Sequence, residues 1–200
     1  PWPASDVATR RVSTYAHVTR SLGTSGAATS GSASTAVAST VTITAGSTTG
    51  TTTLNPTDDS GTYEDTETVI VSITGVSGGS ASESGAQTTT VSITENESAP
   101  TVTLAVSASS IDENASGTID VTITSSISTY ETILVTLSTS GTATDGTDYV
   151  IQSKLLGISA GSTGPTTVTF DPTDDSKFET TTAESAIIAI ASVSGGDASE

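Results

Sequence analysis

The stretch AGSTTGTTTLNPTDDS, residues 45–60, returns as AGSTGPTTVTFDPTDDS at residues 160–176. Each copy leads into a Glu-headed apolar run, ETVIVSI in the first and ESAIIAI in the second, and then into VSGG. Ala45 to Ala160 is a step of 115 residues, Pro56 to Pro172 is 116 and Gly78 to Gly195 is 117, so the register drifts only by single-residue insertions. Self-similarity at a fixed spacing marks one folding unit used twice. Tandem duplication favours a structural or binding role, because an active site rarely gains from being copied in series.

Period-two alternation of apolar and polar residues runs through residues 101–108 (TVTLAVSA), 117–124 (GTIDVTIT), 132–138 (TILVTLS), 166–170 and 186–193 of the second copy. The first copy repeats it at 37–44, 51–54, 68–74 and 88–94. Such runs, rich in β-branched residues and separated by clusters such as DENASG, SGTATDGTDY and DPTDDS, predict strands joined by turns. No segment keeps an apolar stripe at helical spacing, and a helical turn is expected at most near residues 180–184. The chain is therefore expected to be all-β, an antiparallel sandwich of about seven strands in each copy. The expected domains are residues 1–98 and 99–200.

Both ends of the duplication are ragged. Pro1 aligns with Ser116, so the first sandwich lacks its first strand, and Glu200 aligns with Glu83, so the second lacks its last strand, the equivalent of GAQTTTVSITENE at 85–97. Unpaired strand edges tend to be covered or paired. The chain is read either as a window on a longer array or as a filament subunit whose neighbours complete one another by strand addition.

Composition narrows the partners. Five Lys and Arg stand against 22 Asp and Glu, a formal net charge of -17, which argues against nucleic acid and anionic membrane surfaces and in favour of cations. Hydrophobic residues make up 33% of the chain and aromatics 4%, so each core must be thin and aliphatic. With no Cys there is neither a disulfide nor a thiolate to act as nucleophile or soft-metal ligand. The single His17 has no second His or Cys with which to share zinc, and Arg10, Arg11 and Arg20 read as charge on a loose surface segment. No Ser sits in a nucleophile elbow, and Trp2 is the only tryptophan, too little to line a sugar-binding cleft around paired carboxylates, so an enzyme is not expected. Nor is there an apolar run long enough to span a membrane or a signal-peptide core at the start, so direct membrane insertion is not expected.

Several ordered motifs resemble those of Calx-beta domains: TLSTSGTATDGTDY at 136–149, the AGSTxG turn, the LNPTDDS and FDPTDDS stretches, ETVIVSI, SGGSASESG and the closing VSITENE. The resemblance covers residues 40–98 and nearly all of 101–200. It implies an immunoglobulin-like sandwich that binds Ca2+ through carboxylates at one end. It also implies occurrence in exchangers, in integrin subunits and, in tandem, in large bacterial surface and adhesion proteins. Matched position by position, the implied metal ligands are Glu113, Asp148, Asp174, Asp175, Glu179 and Glu184 in the second copy. In the first they are Asp58, Asp59, Glu64, Glu67, Glu95 and Glu97. The chain departs from the pattern where Ala33 replaces the equivalent of Asp148, and the first copy has no early Glu.

The charges supply a physical reason beside the resemblance. Two carboxylates about 5 Å apart at an effective dielectric near 20 repel by roughly 3 kcal/mol. A hard cation that accepts six to eight oxygens in irregular geometry relieves this, which suits Ca2+ better than Mg2+. Asp also serves ordinary turns, and for Glu67, Glu184 and Asp145 that explanation is as good as ligation. The function expected is a calcium-binding, stiff spacer or stalk of an extracellular, cell-surface protein, with calcium ions and neighbouring copies of the repeat, in the same chain or in adjacent subunits, as partners. The alternative is ligand binding, to ice or carbohydrate, by the Thr-rich strand faces.

Overall fold

The computed structural model describes residues 8–9, 15–28, 33–114, 116–174 and 183–200. Fifteen strands follow in chain order: β1 Ala8–Thr9, β2 Val18–Ser25, β3 Thr40–Ile43, β4 Thr49–Gly50, β5 Thr62–Tyr63, β6 Glu67–Ser77, β7 Thr88–Ile93 and β8 Val102–Val106, then β9 Ile119–Ser125, β10 Ser128–Thr129, β11 Ile133–Gly141, β12 Tyr149–Ile151, β13 Leu155–Ile158, β14 Thr166–Pro172 and β15 Ala186–Ser194. They form two compact units, Pro1–Ser60 with Asp65–Glu95 and Gly61–Glu64 with Asn96–Glu200. Among the described residues no helix is long and apolar enough to cross a membrane.

The second unit is an antiparallel sandwich. One sheet has the order β12-β14-β9-β8 and the other β13-β11-β15. Alternation decides which side chains face inward. Ile119, Val121 and Ile123 of β9 are buried and so are Ile133, Val135 and Leu137 of β11, while Leu134 between them is exposed. These side chains pack with Leu156, Ile158, Val168 and Phe170 into one core, where Phe170 stacks on Tyr149 with ring centroids 4.5 Å apart. Burying each such side chain contributes about 1.5–3 kcal/mol, enough to hold a thin aliphatic core. Two-residue β5 joins this unit by pairing in parallel with β10. Ser128 Oγ donates to Gly61 O at 2.6 Å, and Tyr63 OH donates to Asp197 Oδ2 at 3.0 Å.

The first unit carries a four-stranded antiparallel sheet, β3-β2-β6-β7, over a core of Val18, Leu22, Val41, Ile43, Val69, Val71 and Ile73. The duplication persists in its hydrogen bonds. Thr57 N–H donates to Ala33 O at 2.9 Å, as Thr173 N–H donates to Asp148 O at 2.9 Å. The β2–β6 register shifts between Ser21 and Leu22, and the β11–β15 register between Thr136 and Leu137, a step of 115. β7 flanks β6 in the first unit, and β8 flanks β9 in the second. Neither flanking strand has a counterpart in the other unit among the described residues.

Two expectations need correcting, and one strand was not anticipated. Arg20 is not loose surface charge: it sits in β2 and is only 8% exposed. The pattern Val18, Arg20, Leu22 points it inward, where the second unit has Val135. Residues 51–54 make no strand. Among the described residues the pairing there is β4 with β1 and an isolated Ser34–Pro56 bridge. Strand β2 itself escaped the pattern because a charged residue stands at an inward position. Arg10, Arg11 and residues 180–182 lie outside the described residues.

Candidate metal centre

Strands β12 and β14 meet in the register Tyr149–Pro172, and the Thr173 N–H to Asp148 O bond extends the pairing one residue further. Asp148 and Asp174 therefore emerge at the same end of the second sandwich. Asp148 also closes a tight loop: its Oδ2 accepts the Thr144 N–H at 2.6 Å, and its own N–H donates to Thr144 O at 2.9 Å. Gly146, at φ 83°, lets the chain turn back within that loop and donates to Tyr149 O at 2.7 Å. Neighbouring Asp145 is engaged elsewhere, in an ion pair with Lys154 Nζ at 2.6 Å, so turn and ion-pair chemistry account for it.

Beside this loop lies a cavity of about 710 Å³ lined by four carboxylates: Asp112, Glu113, Asp148 and Glu184. Its floor is the apolar end of the core, with Ile119, Tyr149 and Phe170. The loop preceding β9 and the residues preceding β15 thus bring Glu113 and Glu184 to the wall that Asp148 occupies. Asp112 was missed in the sequence reading, although its adjacency to Glu113 in IDEN was a usable signal. Asp175 and Glu179 lie outside the described residues. Among the described residues no three His, Cys, Asp or Glu side chains converge closely enough to hold a metal ion.

In the first unit the residue at the Asp148 position is Ala33, and the matching hydrogen bond from Thr57 shows that the backbone is the same while the carboxylate is absent. Asp58 is exposed and Asp59 half-buried just beyond Pro56. Glu67 begins β6 opposite Ile93 and Glu95 follows β7, both half-buried. Glu64 and Glu97 belong to the second unit and are likewise half-buried. Glu67 Oε2 is shielded from solvent and has no hydrogen-bond partner among the described residues. A desolvated carboxylate oxygen without a donor is costly unless a cation meets it. The donor set is all oxygen and all acidic, the donor type a hard divalent cation takes, but among the described residues no three of these groups meet at one point.

The Thr-rich faces show hydroxyls turned toward one another. Thr122 and Thr167 Oγ1 lie 3.0 Å apart and Thr103 and Thr124 Oγ1 lie 3.1 Å apart, each pair bridging adjacent strands.

No family model matches the chain, and no curated protein matches it. Among solved structures, CBD12 from CALX1.2 is similar at a TM-score of 0.39 and 16% identity, over 80% of this chain and 65% of that one. The calcium binding domain CBD12 of CALX1.1 is similar at a TM-score of 0.37 and 19% identity, over 84% of this chain and 67% of that one.

Proposed function

We propose that the chain is a calcium-stabilised structural repeat, a stiff spacer segment of an extracellular fibrous or adhesive surface protein. The observation that carries this reading is the wall of Asp112, Glu113, Asp148 and Glu184 around one cavity at the end of the second sandwich. Acidic residues on one cavity wall over an apolar floor repel one another unless counter-charge is supplied, and the chain has only five Lys and Arg to supply it. Glu113, Asp148, Asp174 and Glu184, with Asp112, would hold the ion in the second unit; in the first, Asp58, Asp59, Glu67 and Glu95 are the available donors. Bound Ca2+ would neutralise the cluster and convert binding energy into folding energy.

The spacer role draws on the duplication and on the junction. The first compact unit ends at Glu95 and the second resumes at Asn96, and Pro100 is buried, its carbonyl accepting the Ser199 N–H at 3.1 Å.

Titration calorimetry with CaCl2, paired with melting curves in Ca2+ and in excess chelator, tests the cation. At a hundred times the dissociation constant the ion adds about 2.7 kcal/mol, a rise of roughly 10–20 °C for a domain of this size. Absent binding heat and superimposable melting curves would remove calcium from the account.

A further inference from the structure

The two copies of the repeat differ in three charges at one place. The 115-residue step sets Ser30, Ala33 and Ser39 where the second copy has Asp145, Asp148 and Lys154. The backbones correspond there. Leu137 N–H donates to Lys154 O at 2.7 Å as Leu22 N–H donates to Ser39 O at 2.8 Å, and the Thr173 and Thr57 bonds already described match Asp148 to Ala33. The second copy thus carries an acid in the cavity wall together with a Lys–Asp pair outside that wall, and at the same positions the first copy has none of the three.

Lys154 stands between β12 and β13. Its Nζ meets Asp145 Oδ2 at 2.6 Å and donates to Thr139 Oγ1 of β11 at 2.8 Å, so the loop that carries Asp145 is tied to the body of the sandwich. Within that loop Asp148 Oδ2 accepts the Thr144 N–H, and the N–H groups of Thr147 and Asp148 both donate to Thr144 O, at 3.1 and 2.9 Å. A loop closed on itself in this way moves as one piece, and fixing Asp145 fixes the direction of Asp148. The Lys154 and Asp145 side chains are 41% and 32% exposed, so the pair contributes little to global stability and its effect is local.

We infer that Lys154 is a positioning residue for the acidic cavity: acting through Asp145, it holds the 144–148 loop with Asp148 in the cavity wall and thereby strengthens Ca2+ binding there. Without Lys154 the Asp145 carboxylate would lose its counter-charge and be repelled by the acidic wall, drawing the loop and Asp148 outward. The effect on Ca2+ rests on the function proposed above, whereas the hold on the loop does not. Coulomb repulsion alone gives the opposite sign, because a lysine beside a cation site opposes the ion and its removal should tighten binding.

Lys154→Met and Lys154→Arg, each in the 200-residue chain, separate the two. Calorimetric titration with CaCl2 should show Lys154→Met binding roughly tenfold more weakly than the parent, and Lys154→Arg, which keeps the pair, close to it. In excess chelator the Gly146 and Asp148 amides, which donate to Tyr149 O and Thr144 O, should exchange faster in Lys154→Met alone, while its melting temperature stays at the parent's. Unchanged or tighter binding by Lys154→Met overturns the positioning role, as does unchanged exchange of the two amides. A parent that takes up no calcium ends the calcium reading, and exchange in chelator then decides by itself whether Lys154 holds the loop.

Discussion

Gly78 and Gly195 occupy one position of the repeat and meet the same obstacle. Their φ values are 87° and 90°, and a Cβ on either would lie 2.3 Å from a carbonyl oxygen, of His17 in the first unit and of Thr132 in the second. The close approach lets the turn after β6 or β15 fold back on the start of the adjacent strand. Alanine there combines left-handed strain, about 1–2 kcal/mol, with overlap against backbone that cannot swing aside. Gly195→Ala is expected to cost at least about 3 kcal/mol in the second unit and Gly78→Ala a similar amount in the first. Gly46→Ala provides the control, since φ is 84° but nothing lies within 4 Å of its Cβ. Urea unfolding of the three variants checks the order, and equal losses for Gly46 and Gly195 would contradict the steric account.

Asp148 joins two roles that separate by substitution. Its Oδ2 accepts the Thr144 N–H, and its charge faces the acidic cavity. Asparagine keeps an acceptor oxygen but removes the charge, whereas alanine removes both. Asp148→Asn should leave chelator-treated protein within about 0.5 kcal/mol of the parent while weakening Ca2+ binding at least tenfold. Asp148→Ala should in addition lose about 1–2 kcal/mol without calcium. Calorimetric titration and denaturant curves, each with and without chelator, report the two effects independently.

Much of the fold was legible because alternation and duplication report backbone geometry directly. Ile119, Val121 and Ile123, or Val69, Val71 and Ile73, announce an inward face by spacing alone. What stayed hidden follows from the same rule: β2 was concealed by one inward Arg, and β12 and β13, at three and four residues, are too short for a period to register. The acids of the site were readable as residue types in matched positions. Which of them share one end of the sandwich was not, because it depends on which strands share an edge: Asp148 and Asp174 are 26 positions apart and come to the same end only through the Tyr149–Pro172 pairing.

Glu67 supplies a test whose sign differs from most site mutations. Its Oε2 is buried without a hydrogen-bond partner among the described residues, an arrangement that costs stability when no cation meets it. Glu67→Gln keeps the shape and removes the charge. In excess chelator the variant should melt at or above the parent's temperature, while the gain on adding Ca2+ should shrink in the first unit. A variant that melts lower in chelator and retains the full calcium gain would make Glu67 a structural residue with no part in ligation.

Arg20 and Val135 set the strongest contrast between the copies. Equivalent by the 115-residue step, one is an 8% exposed guanidinium and the other a fully buried isopropyl group. The backbone at this position accepts either, but the surroundings do not. Val135 packs in a core of aliphatic and aromatic side chains that includes Ile133, Leu137, Leu156 and Phe170. Val135→Arg would therefore desolvate a charge among apolar side chains, at a cost of roughly 3–5 kcal/mol, a large part of the stability of a domain this size. Thermal unfolding followed by hydrogen exchange should show the second unit lost and the β2–β6 sheet of the first retained. Were the variant to melt like the parent, the interior assigned to β11 would have to be open to water.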